Sequence, residues 1–155
     1  MIDLDGIAVL ADLWRQPVWT EGNAERGGGG AVNAAYDSFE ITVRGRPGHG
    51  AYPHIAVDPI TVLAAIVTGL GGVTGRIVNP VRPAVLSVGT FHAGTAKNVI
   101  ADSATCAGSI RAFNESDRAA IHEAVTRLAE GISHLAKKHL GTRKDLVAVA
   151  LQHDT

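Results

Sequence analysis

Phe39, Ile41 and Val43 alternate with Glu40, Thr42 and Arg44. A period of two belongs to a strand with one buried face, so residues 39–44 are expected to form a strand with Phe39, Ile41 and Val43 inward. Residues 45–54 follow with three Gly, two Pro and two His, which predicts a loop. Asp58-Pro59 reads as a helix N-cap followed by the first helical position. Ile60, Leu63, Val67 and Leu70 then recur at helical spacing, Val62 and Ile66 add a second apolar side, and Gly71-Gly72 ends the helix. A second strand is expected over 84–92, a turn over Gly94–Asn98 and a third strand over 103–113. In the third strand Ala104, Cys106, Gly108, Ile110 and Ala112 face one way, and Ser103, Thr105, Ser109 and Arg111 the other. A long helix is expected over 115–140, with Ile121, Val125, Leu128, Ile132 and Leu135 as its stripe. Glu115 and Asp117 stand at its start and Lys137 and Lys138 near its end, as the helix dipole favours. Gly141 stops it, and Leu146–Leu151 is the last apolar strand.

The predicted order is β-α-β-β-α-β. It implies an α+β, ferredoxin-like sandwich, a four-stranded antiparallel sheet with both helices on one face. The other sheet face is left open. The first 36 residues fall outside this pattern. Ile2–Trp14 is expected as a short helix, and residues 15–36, with four consecutive glycines at 27–30, as a flexible linker. The expected organisation is thus a helix and linker over 1–36 and one folded domain over 37–151.

Composition narrows the function. Lys plus Arg is 14 and Asp plus Glu is 15, so no basic excess points to nucleic acid or an anionic membrane. No apolar run is long enough for a bilayer span, and Asp3 and Asp5 do not suit a signal peptide. The single cysteine, Cys106, excludes an intrachain disulfide and fits a cytoplasmic setting. There is no Cys-x-x-Cys, no His-Glu-x-x-His, no phosphate-binding Gly-Lys-Ser/Thr ending and no Gly-x-Ser-x-Gly. His134 and His139 are five apart on the expected helix and share no face well. No metal site is therefore expected in this chain.

Three polar residues remain as candidates. His49, flanked by Gly48 and Gly50, is uncrowded, and an imidazole there can donate to a developing oxyanion or simply bond the backbone. Asn98, in the turn between the middle strands, can steer a carbonyl oxygen or serve as an ordinary turn residue. Arg111, on the polar side of its strand, offers a fork that matches a carboxylate; its plainer alternatives are a solvated charge or a cross-strand ion pair.

These stretches resemble a known family. Phe39-Glu40-Ile41-Thr42-Val43-Arg44-Gly45, Gly48-His49-Gly50-Ala51-Tyr52-Pro53-His54 and Val57-Asp58-Pro59-Ile60 are similar to the dimerisation, or lid, domain of the aminoacylase/carboxypeptidase metallopeptidases. So are Gly94-Thr95-Ala96-Lys97-Asn98-Val99-Ile100 and Gly108-Ser109-Ile110-Arg111-Ala112-Phe113. The likeness is strongest to hippurate hydrolases and N-acyl-amino-acid amidohydrolases and covers residues 36–140. Ala101 stands where that family commonly has proline. The resemblance implies a homodimer and a parent enzyme that hydrolyses N-acyl amino acids or related amides with two divalent metal ions, usually zinc. It implies that His49 reaches across the dimer to the partner's active site and stabilises the oxyanion. It also implies that Asn98 contacts substrate near the scissile carbonyl and that Arg111 holds the substrate carboxylate. Neither residues 1–35 nor 141–155 supply the family's metal ligands, so the chain is expected to be inactive alone. The alternative is a free-standing ferredoxin-like binding or interaction module that uses the open sheet face.

Overall fold

The structure is a computed structural model that describes residues 9–15, 34–139 and 151–153. Strand β1 spans Val9–Arg15, β2 Ala35–Arg44, β3 Gly48–His49, β4 Ala84–Ala93, β5 Val99–Ile100, β6 Ser103–Ala112 and β7 Leu151–His153. Helix α1 spans Pro59–Leu70, α2 Val73–Ile77 and α3 Glu115–His139. Five strands form one sheet in the order β4-β6-β2-β1-β7, and β3 and β5 form a separate two-stranded ribbon.

The alternation expected in the first strand is present and runs four residues further upstream. Ala35, Asp37, Phe39, Ile41 and Val43 all point to the helix side and none is more than 3% exposed. Asp37 at an inward position broke the apolar pattern and concealed those four residues. β6 pairs antiparallel with β2 on one side and β4 on the other. The β4 ladder is interrupted by a bulge between Val88 and Thr90. Gly108 sits opposite Phe39 for a steric reason, since a Cβ there would lie 2.5 Å from Phe39 Cζ. The glycine lets the phenyl ring lie across the strand and fill the core.

Asp58 caps α1 as expected, its side chain accepting from the Ile60 N–H at 2.9 Å, with Pro59 in the first turn. Val62, Leu63, Ile66 and Leu70 carry the burial, and Ile60 and Val67 pack only partly against the core. In α3, Ile121 and Val125 are fully buried as expected. The stripe then turns away, so Leu135 is exposed and Ala129 and Ser133 are buried instead. Both long helices cover the face carrying Phe39, Ile41, Val43, Cys106 and Ile110, and the opposite face stays open.

Three expectations need correction. The helix expected within Ile2–Trp14 is, over residues 9–15, the strand β1, paired antiparallel with β2 from Val9↔Val43 to Arg15↔Asp37. Local apolar spacing allowed a helix, but the outer edge of β2 presents unpaired N–H and C=O groups that a strand satisfies. The sheet accordingly has five strands, not four, and is not wholly antiparallel, because β7 runs parallel to β1. The last strand is described at Leu151–His153, one position further from β2 than a four-stranded arrangement requires. The linker glycines 27–30 and most of residues 146–151 lie outside the described residues. Helix α2 and the β3–β5 ribbon were not anticipated. The expected loop and turn at 45–54 and 94–98 are tied together by that ribbon.

Candidate functional site

His49 ends β3, where it pairs with Val99 of β5, and the Gly50 N–H donates to the Asn98 carbonyl oxygen at 2.9 Å. The ribbon therefore places His49 and Asn98 side by side, although they are far apart in sequence. A Cβ on Gly50 would lie 3.1 Å from that same carbonyl oxygen, so the approach suits glycine. Both side chains are exposed. The His49 Nδ1 accepts a hydrogen bond from the Ala51 N–H at 3.1 Å. An accepting Nδ1 puts the proton of neutral imidazole on Nε2, leaving an N–H donor directed away from the loop. The Tyr52 ring stands 5.7 Å from the imidazole, tilted against it. The backbone bond that a merely structural histidine makes is thus present, and it leaves Nε2 as the outward donor. Beside the ribbon lies a cavity of about 470 Å³, lined in part by Pro47, His92, Thr95, Val99 and Asp102.

Arg111 is elsewhere. It lies on the open sheet face opposite Tyr36 of β2 and Val85 of β4. Its guanidinium carbon sits 4.9 Å from the Tyr36 ring centroid. Among the described residues no carboxylate is bonded to it, so the cross-strand ion pair weighed above is not made. Arg111 lies eight residue steps along β6 from Ser103, at the ribbon end of the sheet. At ~3.3 Å per residue this is roughly 26 Å. The structure brings His49 and Asn98 together and keeps Arg111 away from both. A shallow concavity of about 400 Å³ adjoins Tyr36 on the open face, with Ser38, Glu40, Ser87 and Ser109 in its lining. A larger one of about 610 Å³ lies between α2 and α3, and none of the three candidates borders it.

Sequence reasoning missed a buried ionic cluster behind Tyr36. Arg118 grips Asp37 through Nε at 2.7 Å and Nη2 at 2.5 Å, and His122 Nε2 meets Asp37 Oδ2 at 2.7 Å. Burial alone would raise the Asp37 pKa, but the hydrogen bonds from Arg118 and His122 outweigh it and hold the carboxyl below its usual range. The bond to Asp37 in turn raises the pKa of Arg118. The available signal was Arg118 and His122 one helical turn apart on α3, on the side that packs against β2. Burial pushes the Cys106 thiol up to about 11, which makes it an inert core residue. Among the described residues no three His, Cys, Asp or Glu side chains gather to hold a metal ion.

The profile of the peptidase dimerisation domain matches residues 33–135, more than half of the chain. The chain belongs to the peptidase dimerisation domain family. It is 36% identical over 126 residues to the hippurate hydrolase of Campylobacter jejuni, covering 81% of this chain and 33% of that protein. It is 35% identical over 133 residues to the N-acetylcysteine deacetylase of Bacillus subtilis, covering 84% of this chain and 34% of that protein. A crystal structure of an aminohydrolase from methicillin-resistant Staphylococcus aureus superimposes with a TM-score of 0.65 at 24% identity, over 96% of this chain and 36% of that one. At that identity the superposition speaks for the fold. The dimerisation domain thus spans about a third of the length of these relatives. No helix among the described residues is long and apolar enough to cross a membrane.

Proposed function

We propose that this dimerisation domain forms a homodimer and grips the substrate of a metal-dependent amidohydrolase acting on N-acyl amino acids or related amides, in the cytoplasm. The observation that carries the proposal is the separation of two polar ends on one sheet. His49 and Asn98 share the ribbon, and Arg111 stands roughly 26 Å along β6 from it. An N-acyl amino acid is far shorter than that, so one chain cannot apply both ends to one molecule. A twofold dimer resolves this, because the ribbon of one copy can serve the site whose carboxylate is held by Arg111 of the other. The outward Nε2–H of His49 is the donor an oxyanion needs, the Asn98 carboxamide beside it suits the scissile carbonyl, and the unpaired Arg111 fork suits the carboxylate. The β-α-β-β-α order of residues 35–139 supports a ferredoxin-like reading, with the position beside β2 the one a fourth strand would take. Residues 37–151 are then the lid unit.

The described residues do not fit a pair of metal ions. The work assigned to this chain is to orient the substrate, exclude water by closing over it and offer hydrogen bonds to the developing charge. The test replaces the lid of an intact relative with residues 35–151, which keep the whole of β2, and co-expresses two defective versions, His49→Ala and Arg111→Ala. If the two ends serve one substrate across the dimer, the mixed population recovers up to about a quarter of the parent rate, because half the dimers are hybrids with one intact site. Recovery of nothing, with hybrids shown to form, contradicts the reading.

A further inference from the structure

Tyr36 lies outside every sequence motif of the domain, in a segment read from sequence as linker. In the structure it is the direct cross-strand neighbour of Arg111. We infer that Tyr36 is a positioning residue for the Arg111 carboxylate clamp, holding the guanidinium over its ring. The inference rests on the reading of Arg111 as that clamp.

The geometry supports this at each step. The guanidinium carbon is 4.9 Å from the ring centroid, a cation–π distance. A stacked guanidinium uses its face and leaves its in-plane N–H groups available, which are the groups a carboxylate takes in a two-pronged bond. Val85 flanks Arg111 on the other side and offers no acceptor side chain. The described carboxylate on the same open face of β2 is Glu40, four residues from Tyr36 and so roughly 13 Å along the strand. The carboxylate of Asp37 points through the sheet to Arg118 and His122 and leaves the open face. That buried anchor fixes β2 immediately beside Tyr36, so the ring is carried by a pinned strand. An exposed arginine otherwise samples many rotamers, and the ring reduces what must be ordered when a carboxylate binds.

The test uses the full chain in solution, titrated with N-acetylglycine and, separately, with N-acetylglycinamide, while binding is followed in every variant by NMR of the β2 and β6 backbone amides and, where Arg111 is present, of its side-chain N–H. Wild type and Tyr36→Phe should bind the carboxylate equally well. Tyr36→Leu, which keeps apolar bulk and removes the ring, should weaken it two- to five-fold, and none of the three should show this response to the amide. In the free chain the Arg111 methylene protons should carry a ring-current shift in wild type and Tyr36→Phe and lose it in Tyr36→Leu. Unaltered carboxylate binding in Tyr36→Leu, with binding lost in Arg111→Ala, overturns the positioning role and leaves the clamp standing. Equal binding by Arg111→Ala and wild type overturns the clamp itself. Absence of the ring-current shift in wild type removes the stack on which the inference stands.

Discussion

Single side chains decide both how the domain holds together and what it can grip. Asp37 is 1% exposed and bonded by Arg118 and His122, so it is the buried charge on which the β2–α3 junction depends. Asp37→Ala takes the buried partner from Arg118, which keeps only its contact to the exposed Glu115 carboxylate among the ion pairs described, and should cost about 3–5 kcal/mol in urea unfolding at neutral pH. Replacing Asp37 and Arg118 together with apolar residues should recover much of that loss, because it removes the buried guanidinium along with its buried partner. The pH dependence follows from the depressed Asp37 pKa. Its stabilisation is present above the unfolded value of about 3.9 and is lost as pH falls through the lower folded value. Wild type should therefore lose stability on acidification below about pH 4, and Asp37→Asn should lose less over the same window. On the open face, Arg111→Lys keeps the charge but loses the fork. In the grafted enzyme it should weaken recognition of carboxylate substrates by about 1.5–3 kcal/mol, roughly ten- to hundred-fold, with the matching amides unaffected. Equal loss on both substrates would return Arg111 to the status of a surface charge.

At the scale of elements, the sheet is fixed by one close approach and one open edge. Phe39 is 1% exposed and lies where a Gly108 side chain would be. Gly108→Ala should therefore destabilise the domain by about 1–3 kcal/mol, measured by chemical denaturation, because the ring or the strand must shift. β4 is the outermost strand on its side of the sheet, and Phe91 on it is 40% exposed. If the dimer forms by joining β4 edges, Phe91→Asp should give a folded monomer, with unaltered helix content by circular dichroism. A dimer that persists would place the interface elsewhere. These elements also show where the sequence was readable. Strands β2, β4 and β6 and helices α1 and α3 each carried a local signal, in alternation, in the Asp58-Pro59 cap or in the Ile121–Val125 stripe. β1 carried none, because its strand state comes from pairing with β2 and not from its own residues. The start of β2 was hidden because the inward Asp37 looks polar until Arg118 and His122 are seen beside it.

For the whole molecule, His49, Asn98 and Arg111 were legible as residue types in suggestive places, but their separation was not, since distance along a paired strand follows from register. Nor was Tyr36 visible as a neighbour of Arg111, which is a cross-strand relation between residues 75 positions apart. On the proposed reading, that separation leaves two half-sites for a second copy of the chain to bring together. The chain spans about a third of the length of these relatives. Everything proposed for His49, Asn98 and Arg111 requires a dimer, and sedimentation of the full chain over a range of concentrations tests for it most directly. A dimer that persists into the low micromolar range is the predicted result; a monomer at high micromolar concentration would contradict it.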